Sequence, residues 1–368
     1  MKTAVLQFIR REPILMVSAL AALVSCCFVP PDRAYLGYID LRTLALLYAL
    51  MLVVEGLRGA GVFDSLAHAS LRRAGTVRSM GILLTALSFF SAMLITNDVA
   101  LLTFVPFAIL LPGMTARVND LLLIVALQTV AANLGSMLTP VGNPQNLYLY
   151  SYYGLSAADF FGITVPFWLL SLGLVLLLCF LLPRAPLEQA SADAPAVERR
   201  RLALYGALLA VCLLAVFRVI GWQVMLLLVV AALLAFDRKM LLRADFMLLL
   251  TFVAFFVFAG NLARLDAVDR LLRRLLDGRE YLTALLASQV VSNVPAALLL
   301  SGFTDNAREL LLGVDIGGLG TPIASLASLI SLKLYSRAEG ARTGRYLLVF
   351  TLISLTLLAV LSAARLII

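Results

Sequence analysis

Hydrophobic residues in this chain come in long unbroken runs, and the polar residues gather between them. A helix that crosses a membrane needs roughly 20 mainly apolar residues. Runs of that kind cover about 12–30, 41–57, 119–151, 160–183, 202–219, 221–236, 245–260, 305–336 and 346–367. Two further apolar stretches, about 79–112 and 280–303, are each interrupted near the middle by polar residues. The pattern predicts an all-α polytopic membrane protein with about nine full spans. The first run has a basic start but leads into Pro30-Pro31 with no small-residue cleavage site, which favours a retained span over a signal peptide.

Composition agrees with this reading. Of the 368 residues 62% are apolar and 14% charged, against about 45–50% and 25% in soluble domains. So little polar surface excludes a set of water-soluble domains, and disorder, a disulfide scaffold and a fibrous repeat fall with it. The excess of 29 Lys+Arg over 21 Asp+Glu, a net +8, reads as a topology signal in the loops, not as a nucleic-acid surface. Cys26, Cys27, Cys179 and Cys212 lie in apolar runs without metal-ligand spacing and read as buried small hydrophobes. The single histidine, His68, sits in a polar-flanked segment and reads as solvated. Without paired midplane acids or a nucleophile–base pair, a membrane-embedded enzyme is not expected. A channel is disfavoured by the lack of a repeated ring of pore charges.

Orientation follows from the basic residues. Lys2, Arg10 and Arg11 precede the first span and put the N-terminus in the cytoplasm. Clusters follow at Arg58–Arg78, Arg184–Arg201, Arg238–Arg243 and Lys333–Arg345. They share one side only if 79–112 and 280–303 turn back as re-entrant hairpins, one from each face, which leaves the C-terminus outside. The segment 261–280 has interleaved Arg and Asp with leucines at helical spacing, the mark of an interfacial amphipathic helix, and 61–74 looks like its counterpart. The polar stretch 184–201 reads as a cytoplasmic linker between a first repeat, 1–183, and a second, 202–368.

The polar interruptions carry the repeat. Both hairpins place a hydroxyl residue and then Asn at the turn, Thr96-Asn97 in ITNDVALLTFVPF (95–107) and Ser292-Asn293 in VSNVPAALLL (291–300). Downstream, NLGSMLTPVGNPQN (133–146) and DIGGLGTPIASLAS (315–328) align without a gap and match Thr139-Pro140 to Thr321-Pro322. One such string could be a kinked helix. Two, each following a hairpin, point to two inverted repeats with a broken transmembrane helix apiece, the pattern of secondary transporters with a site near the midplane.

Broken backbone at membrane depth is tolerated where protein buries it or where it lines a wet cavity. Carbonyls at such a break can ligate Na⁺, and the N-terminal ends of half-helices can hold an anion. Thr96, Asn97, Ser292, Asn293, Thr139, Asn143, Asn146, Thr321, Ser325 and Ser328 supply neutral polar groups around those ends. Interhelical hydrogen bonding is the alternative role for Ser325 and Ser328. Asp98, at the first tip, is a functional candidate because an ionisable group is costly there. Asp315 precedes the second break, where it either caps the following half-helix or binds a cation or proton. Asp305 reads as a solvated turn, and Glu55 as snorkelling or pairing with Arg58.

These strings resemble the ion-transporter superfamily, which holds arsenite permeases, a class of sodium/proton antiporters and sodium-coupled citrate and dicarboxylate carriers. In the dicarboxylate carriers each tip reads Ser-Asn-Thr and binds Na⁺ and the substrate carboxylate. Here Thr96-Asn97 and Ser292-Asn293 match two positions while Asp98 and Val294 depart from the third, and an Asn-Asp tip is similar to the arsenite-permease and antiporter branches. The resemblance implies one cation near Thr96, Asn97, Gly135 and Thr139 and a second near Ser292, Asn293, Gly317 and Thr321. It places substrate near the Asn97 and Asn293 tips, the Asn143-Pro144 and Asn146 element, and Thr321-Pro322 with Ser325 and Ser328. It also implies an elevator mechanism in a homodimer.

The expectation is a transporter of a small inorganic or organic anion in the cell inner membrane, coupled to Na⁺ or H⁺ and without another cofactor. A Na⁺/H⁺ antiporter and an arsenite or antimonite efflux permease are the alternatives. No ATP-binding motif is visible, and no sequence feature identifies a partner ATPase.

Overall fold

The computed structural model describes residues 12–72, 74–110, 117–187 and 196–368. Lys2, Arg10, Arg11 and Arg73, the last residues of the first expected hairpin and the middle of the linker, 188–195, lie outside them. Helix is the regular structure of the described residues, joined by turns and short loops, with one isolated bridge between Thr76 and Pro186.

The first half runs α1 (Pro13–Phe28), α2 (Leu41–Gly59), α3 (Val62–Leu71), α4 (Val77–Ile95), α5 (Asn97–Leu110), α6 (Val118–Ser136), α7 (Pro144–Tyr152) and α8 (Ala157–Cys179). The second runs α9 (Arg199–Val216), α10 (Trp222–Phe236), α11 (Phe246–Ala263), α12 (Asp266–Leu276), α13 (Glu280–Val291), α14 (Asn293–Leu300), α15 (Ala307–Ile316), α16 (Leu326–Tyr335) and α17 (Thr343–Ala364). Among these, α4, α6, α8, α11 and α17 are long and apolar enough to cross a membrane, and α2 with α3 makes a sixth if their 50° bend is one span. Large apolar side chains such as Leu23, Leu177, Phe236 and Leu352 stay exposed on the outer helices, as expected where the solvent is lipid.

Several elements are shorter than the expected spans. Pro30-Pro31 follows α1 closely and Asp237 caps α10, leaving 16 and 15 residues, about 24 Å at the helical rise. The runs 119–151 and 305–336 are each interrupted. The first stops at Ser136 and resumes at Pro144, and the second stops at Ile316 and resumes at Leu326, with a single 3₁₀ turn between.

α6 is the centre of the bundle. Fifteen of the sixteen positions from Leu121 to Ser136, all but the half-buried Leu123, are buried, and α4, α5, α8, α16 and α17 pack around them. Thr129, Asn133 and Ser136 recur at helical spacing, so one polar stripe runs down an otherwise apolar rod. Thr129 meets Ser331 at 2.5 Å and the Tyr346 hydroxyl at 3.2 Å, so the stripe is a seam between the two halves.

Loop contacts tie the basic clusters together. Arg78 donates to the Leu182 and Phe180 carbonyls at 2.7 and 2.9 Å, and Val77 N–H to the Ala185 carbonyl. Glu198 N–H donates to the Ala60 carbonyl, and Arg201 pairs with Asp237 at 3.0 Å. Three clusters, around Arg78, Arg199–Arg201 and Arg238, therefore share one end. The end of α5 returns to that region, because Phe107 packs edge-on against His68 of α3 at 5.2 Å. His68 is accordingly half-buried against an aromatic ring and not simply solvated. Elsewhere, Arg273 of α12 donates to the Gly302 carbonyl just beyond α14. At the opposite edge Asp32 and Arg264 pair at 2.8 Å and hold α1 to α11, keeping the Asp32 carboxyl below its ordinary range. All four cysteines are free. Cys179 and Cys212 are buried as expected, but Cys27 is exposed and Cys26 half-buried, because α1 is an outer helix with a lipid-side face.

Candidate ion and substrate site

Each expected hairpin turns on one residue. α4 ends at Ile95 and α5 begins at Asn97; α13 ends at Val291 and α14 begins at Asn293. The intervening Thr96 has φ 71° and ψ 154°, and Ser292 has φ 75° and ψ 155°. Side-chain-bearing residues rarely adopt that conformation, which costs about 1–3 kcal/mol at each site. The next residue performs the same task in both turns. Asn97 Oδ1 accepts the Asp98 N–H and Asn293 Oδ1 accepts the Val294 N–H, each at 3.0 Å, satisfying a helix-start donor that has no intrahelical partner.

The turns are fastened to the breaks by a second matched set. The Thr139 hydroxyl donates to the Met93 carbonyl at 2.5 Å, and the Thr321 hydroxyl to the Gln289 carbonyl at 3.4 Å. Gly135 lies against the Phe89 backbone, where a Cβ would fall 2.8 Å from Phe89 Cα, and Gly317 lies against Leu285, where it would fall 3.0 Å from Leu285 Cα. Only glycine allows the helices to approach this closely. Gln289 adds donors to the Gly317 and Leu319 carbonyls at 2.7 and 3.0 Å and accepts from Thr321 N–H. Ser292 donates to the Ala324 carbonyl at 3.3 Å.

The breaks also reach across to each other. Asn133 Oδ1 accepts from Asn97 Nδ2 at 3.1 Å and from the Ser325 hydroxyl at 3.0 Å, while Asn133 Nδ2 donates to Ser328 Oγ at 3.0 Å. Its counterpart in the gapless alignment is Asp315. Asp315 Oδ1 accepts from Gln145 Nε2 at 3.3 Å, and the Asn146 and Asn143 side chains face the same carboxyl. Asn143 and Asn146 are in turn the counterparts of Ser325 and Ser328. Each break thus presents a polar residue to the same two positions of the other break. Asp315 lies in the last turn of α15 with its side chain on the opposite half, so it does not cap the helix that follows.

A cavity of about 240 Å³ opens beside the first turn, lined by Thr96, Asp98, Asn143 and Pro144 together with Glu55, Arg243 and Asp245. Asp98 is therefore part of a wall shared with residues from the basic turn before α11. Glu55 also pairs with Arg58 at 3.7 Å, and Asp305 is exposed in its turn.

The sequence-predicted residues therefore fall into two joined groups. One gathers Asn97, Ser325 and Ser328 around Asn133, with Thr96 and Asp98 flanking Asn97 on the cavity wall, and the other gathers Asn143 and Asn146 around Asp315. Asn293 borders the second, its Nδ2 3.0 Å from where a Cβ on Gly318 would sit. Pro322 starts the 3₁₀ turn, half-buried. Asn133, Gln145 and Gln289 were not singled out from the sequence. Asn133 could have been found as the aligned partner of Asp315, and Gln145 from its place within NPQN.

The sequence pattern of the citrate transporter family matches residues 4–309. An uncharacterized transporter of Methanocaldococcus jannaschii is 31% identical over 326 residues, 88% of this chain and 89% of that protein. The inner membrane protein YbiR of Escherichia coli K12 is 34% identical over 315 residues, 83% of each chain. Over a shorter region the silicon efflux transporter of rice is 31% identical, across 153 residues that span 41% of this chain and 31% of that protein.

Proposed function

The chain belongs to the citrate transporter family, and on that premise we propose that it is a secondary active transporter of a small anion or oxyanion, coupled to Na⁺ or H⁺. The observation that carries this reading is the doubled turn-and-break unit. Two strained turns with one backbone geometry, each stapled to its own break by threonine and glycine, are braced through Asn133 and Asp315.

We read the two units as inverted repeats with re-entrant hairpins, in a nine-span protein of the cell inner membrane with its N-terminus inside. Contacts at the two ends of α8 support the inversion. Just before α8, Tyr153 donates to the Ser301 and Thr304 carbonyls, at the open end of the second hairpin. Just after it, Phe180 and Leu182 meet Arg78, at the open end of the first. The 23 residues between them span about 34 Å. A homodimer moving by an elevator mechanism, with lipid around the exposed helices, completes the proposal.

In this reading Thr96, Asn97, Asp98, Gly135 and Thr139 hold one cation. Ser292, Asn293, Asp315, Gly317 and Thr321 hold the other. Asn97, Asn293, Asn143, Pro144 and Asn146 meet the substrate with Thr321, Pro322, Ser325 and Ser328. The cavity at Asp98 gives access from the side of the basic clusters.

A Na⁺/H⁺ antiporter is the second reading, favoured by three carboxylates on one cavity wall, Glu55, Asp98 and Asp245. An efflux permease for arsenite or antimonite keeps the same site, and the rice relative named for silicon efflux lends weight to an oxyacid. Thermal-shift screening of citrate, arsenite, silicate and phosphate with and without Na⁺ tests the proposal, since a ligand of the folded state raises its stability. An anion that stabilises more strongly with Na⁺, or at lower pH, supports anion coupling. Na⁺-dependent pH changes in proteoliposomes with no anion present would replace it with antiport.

A further inference from the structure

Besides Thr96 and Ser292, one other side-chain-bearing residue among the described ones has a positive φ, Arg218 at 62°. It ends α9, where the Val219 N–H donates to the Leu214 carbonyl at 2.8 Å. Glycine is the usual residue at a helix end of this kind. A costly backbone conformation persists where its surroundings hold it in place, and here the arginine side chain supplies the hold. Its guanidinium donates to the Gly154 carbonyl at 2.9 Å and to the Tyr150 carbonyl at 3.2 Å, and lies 5.2 Å from the centre of the Tyr150 ring. Both carbonyls stand at the C-terminal end of α7, where helical donors run out. Tyr150 is itself 2% exposed and packs edge-on against Phe160 and Phe217 at 5.6 and 6.4 Å.

The contact joins two elements that belong to different parts of the molecule. α7 starts beside Asn143, which faces Asp315, and packs on α14 and α15, so it is part of the turn-and-break assembly. α9 stands outside both units and packs along α2 and α10. It starts at Arg199 among the basic clusters, and its 18 residues carry Arg218 about 27 Å away, to the other end of the bundle. The cavity beside Asp98 is lined by Asn143 and Pro144 at the start of α7 and by Arg243 and Asp245 of the basic turn. The assembly is therefore open at one end of α7 and fastened at the other. We propose that Arg218 is a latch, which holds α7 to α9 while the site faces the basic clusters and must release before the site can face the opposite side. The inference rests on the elevator reading and adds to it a named contact whose loss shifts the balance between the two states. The bonds suit this role, because their acceptors are backbone carbonyls that water can serve once the guanidinium leaves, and no buried carboxylate is stranded.

The test uses the full chain with Cys26, Cys27, Cys179 and Cys212 replaced by alanine and with Leu102→Cys on the cavity wall. A membrane-impermeant maleimide applied to inside-out vesicles reads, through its rate of labelling, how much of the protein has the cavity open. Arg218→Gly keeps the turn, since glycine accepts a positive φ, and removes only the guanidinium. Arg218→Lys keeps the charge but loses the planar fork. Removing hydrogen bonds from a charged donor shifts a two-state balance about tenfold. Labelling is then expected to slow about 2–5-fold in Arg218→Gly, and less in Arg218→Lys, for about one to ten latched molecules per released one in the wild type. Should Arg218→Gly fail to assemble, Arg218→Lys must still label more slowly than wild type. A lost helix cap alone would lower the unfolding temperature and leave this distant thiol unaffected. Wild-type labelling rates in both variants, in protein that still transports, would therefore overturn the latch and leave the transporter reading standing. Vesicles in which wild type and variants alike show no gradient-driven flux of the best-stabilising oxyanion would overturn both.

Discussion

Asn133→Ala removes a side chain that hydrogen-bonds to both the first turn and the second break. Three hydrogen bonds at 3.0–3.1 Å disappear together, those to Asn97, Ser325 and Ser328, all within residues at most 5% exposed. A typical buried bond contributes a net 0.5–1.5 kcal/mol, so the loss is about 2–4 kcal/mol, and stranding the partners pushes it toward the upper end. In a chain of this size that lowers the unfolding temperature by roughly 3–5 °C. Tryptophan fluorescence during heating in detergent reads the shift. Ser354→Ala is the control, because Ser354 is fully buried and its hydroxyl has no partner among the described residues. Its loss is expected to be neutral or stabilising. Asn133→Ala should also abolish transport driven by a cation gradient, since Asn97 loses its anchor. A variant that melts no lower than Ser354→Ala and transports normally would refute the brace.

Three further outcomes follow from the same geometry. Gly135→Ala forces a Cβ into the Phe89 backbone and should destabilise by about 1–3 kcal/mol or more, whereas Gly37→Ala, with nothing within 4 Å, should melt like wild type. Thr96→Gly relieves a φ of 71°, so about 1–3 kcal/mol of strain is exchanged for about 0.5–1 kcal/mol of lost chain entropy. The melting temperature should hold or rise while flux falls, and unchanged flux would mean the strained turn has no functional role. Asp98→Asn, on the cavity wall, should abolish or uncouple flux while size-exclusion chromatography shows a normally assembled protein. Wild-type ion coupling in that variant would remove Asp98 from the site.

What could be read from the sequence is what interrupts an apolar background. Thr96-Asn97, Ser292-Asn293 and the two Gly/Thr/Pro strings stand out because hydrocarbon tolerates few such groups, and the structure places helix ends at all four. The breaks at Ser136 and Ile316 follow from the same cue. The strain at Thr96 and Ser292 is invisible in composition, since neither is the glycine that a positive φ normally requires. Asn133, Gln145 and Gln289 escaped because an amide inside a helix reads equally as packing glue, and its partners lie far away in sequence. Asp315 was legible as an acid near a break but not as a bridge, because helix capping is local whereas its contact with Gln145 is tertiary. Exposure of Cys27 depended on which helices lie outermost, which periodicity alone does not determine.

The most direct test of the central claim, that the braced turns and breaks form an ion-coupled transport site, is flux into proteoliposomes under an imposed Na⁺ or pH gradient. The oxyanion that best stabilises the protein serves as substrate, for wild type and for Asn97→Ala and Asn293→Ala. The account predicts uptake in wild type that requires the gradient and is lost or strongly reduced in both variants. Gradient-driven uptake that survives both substitutions unchanged would contradict it.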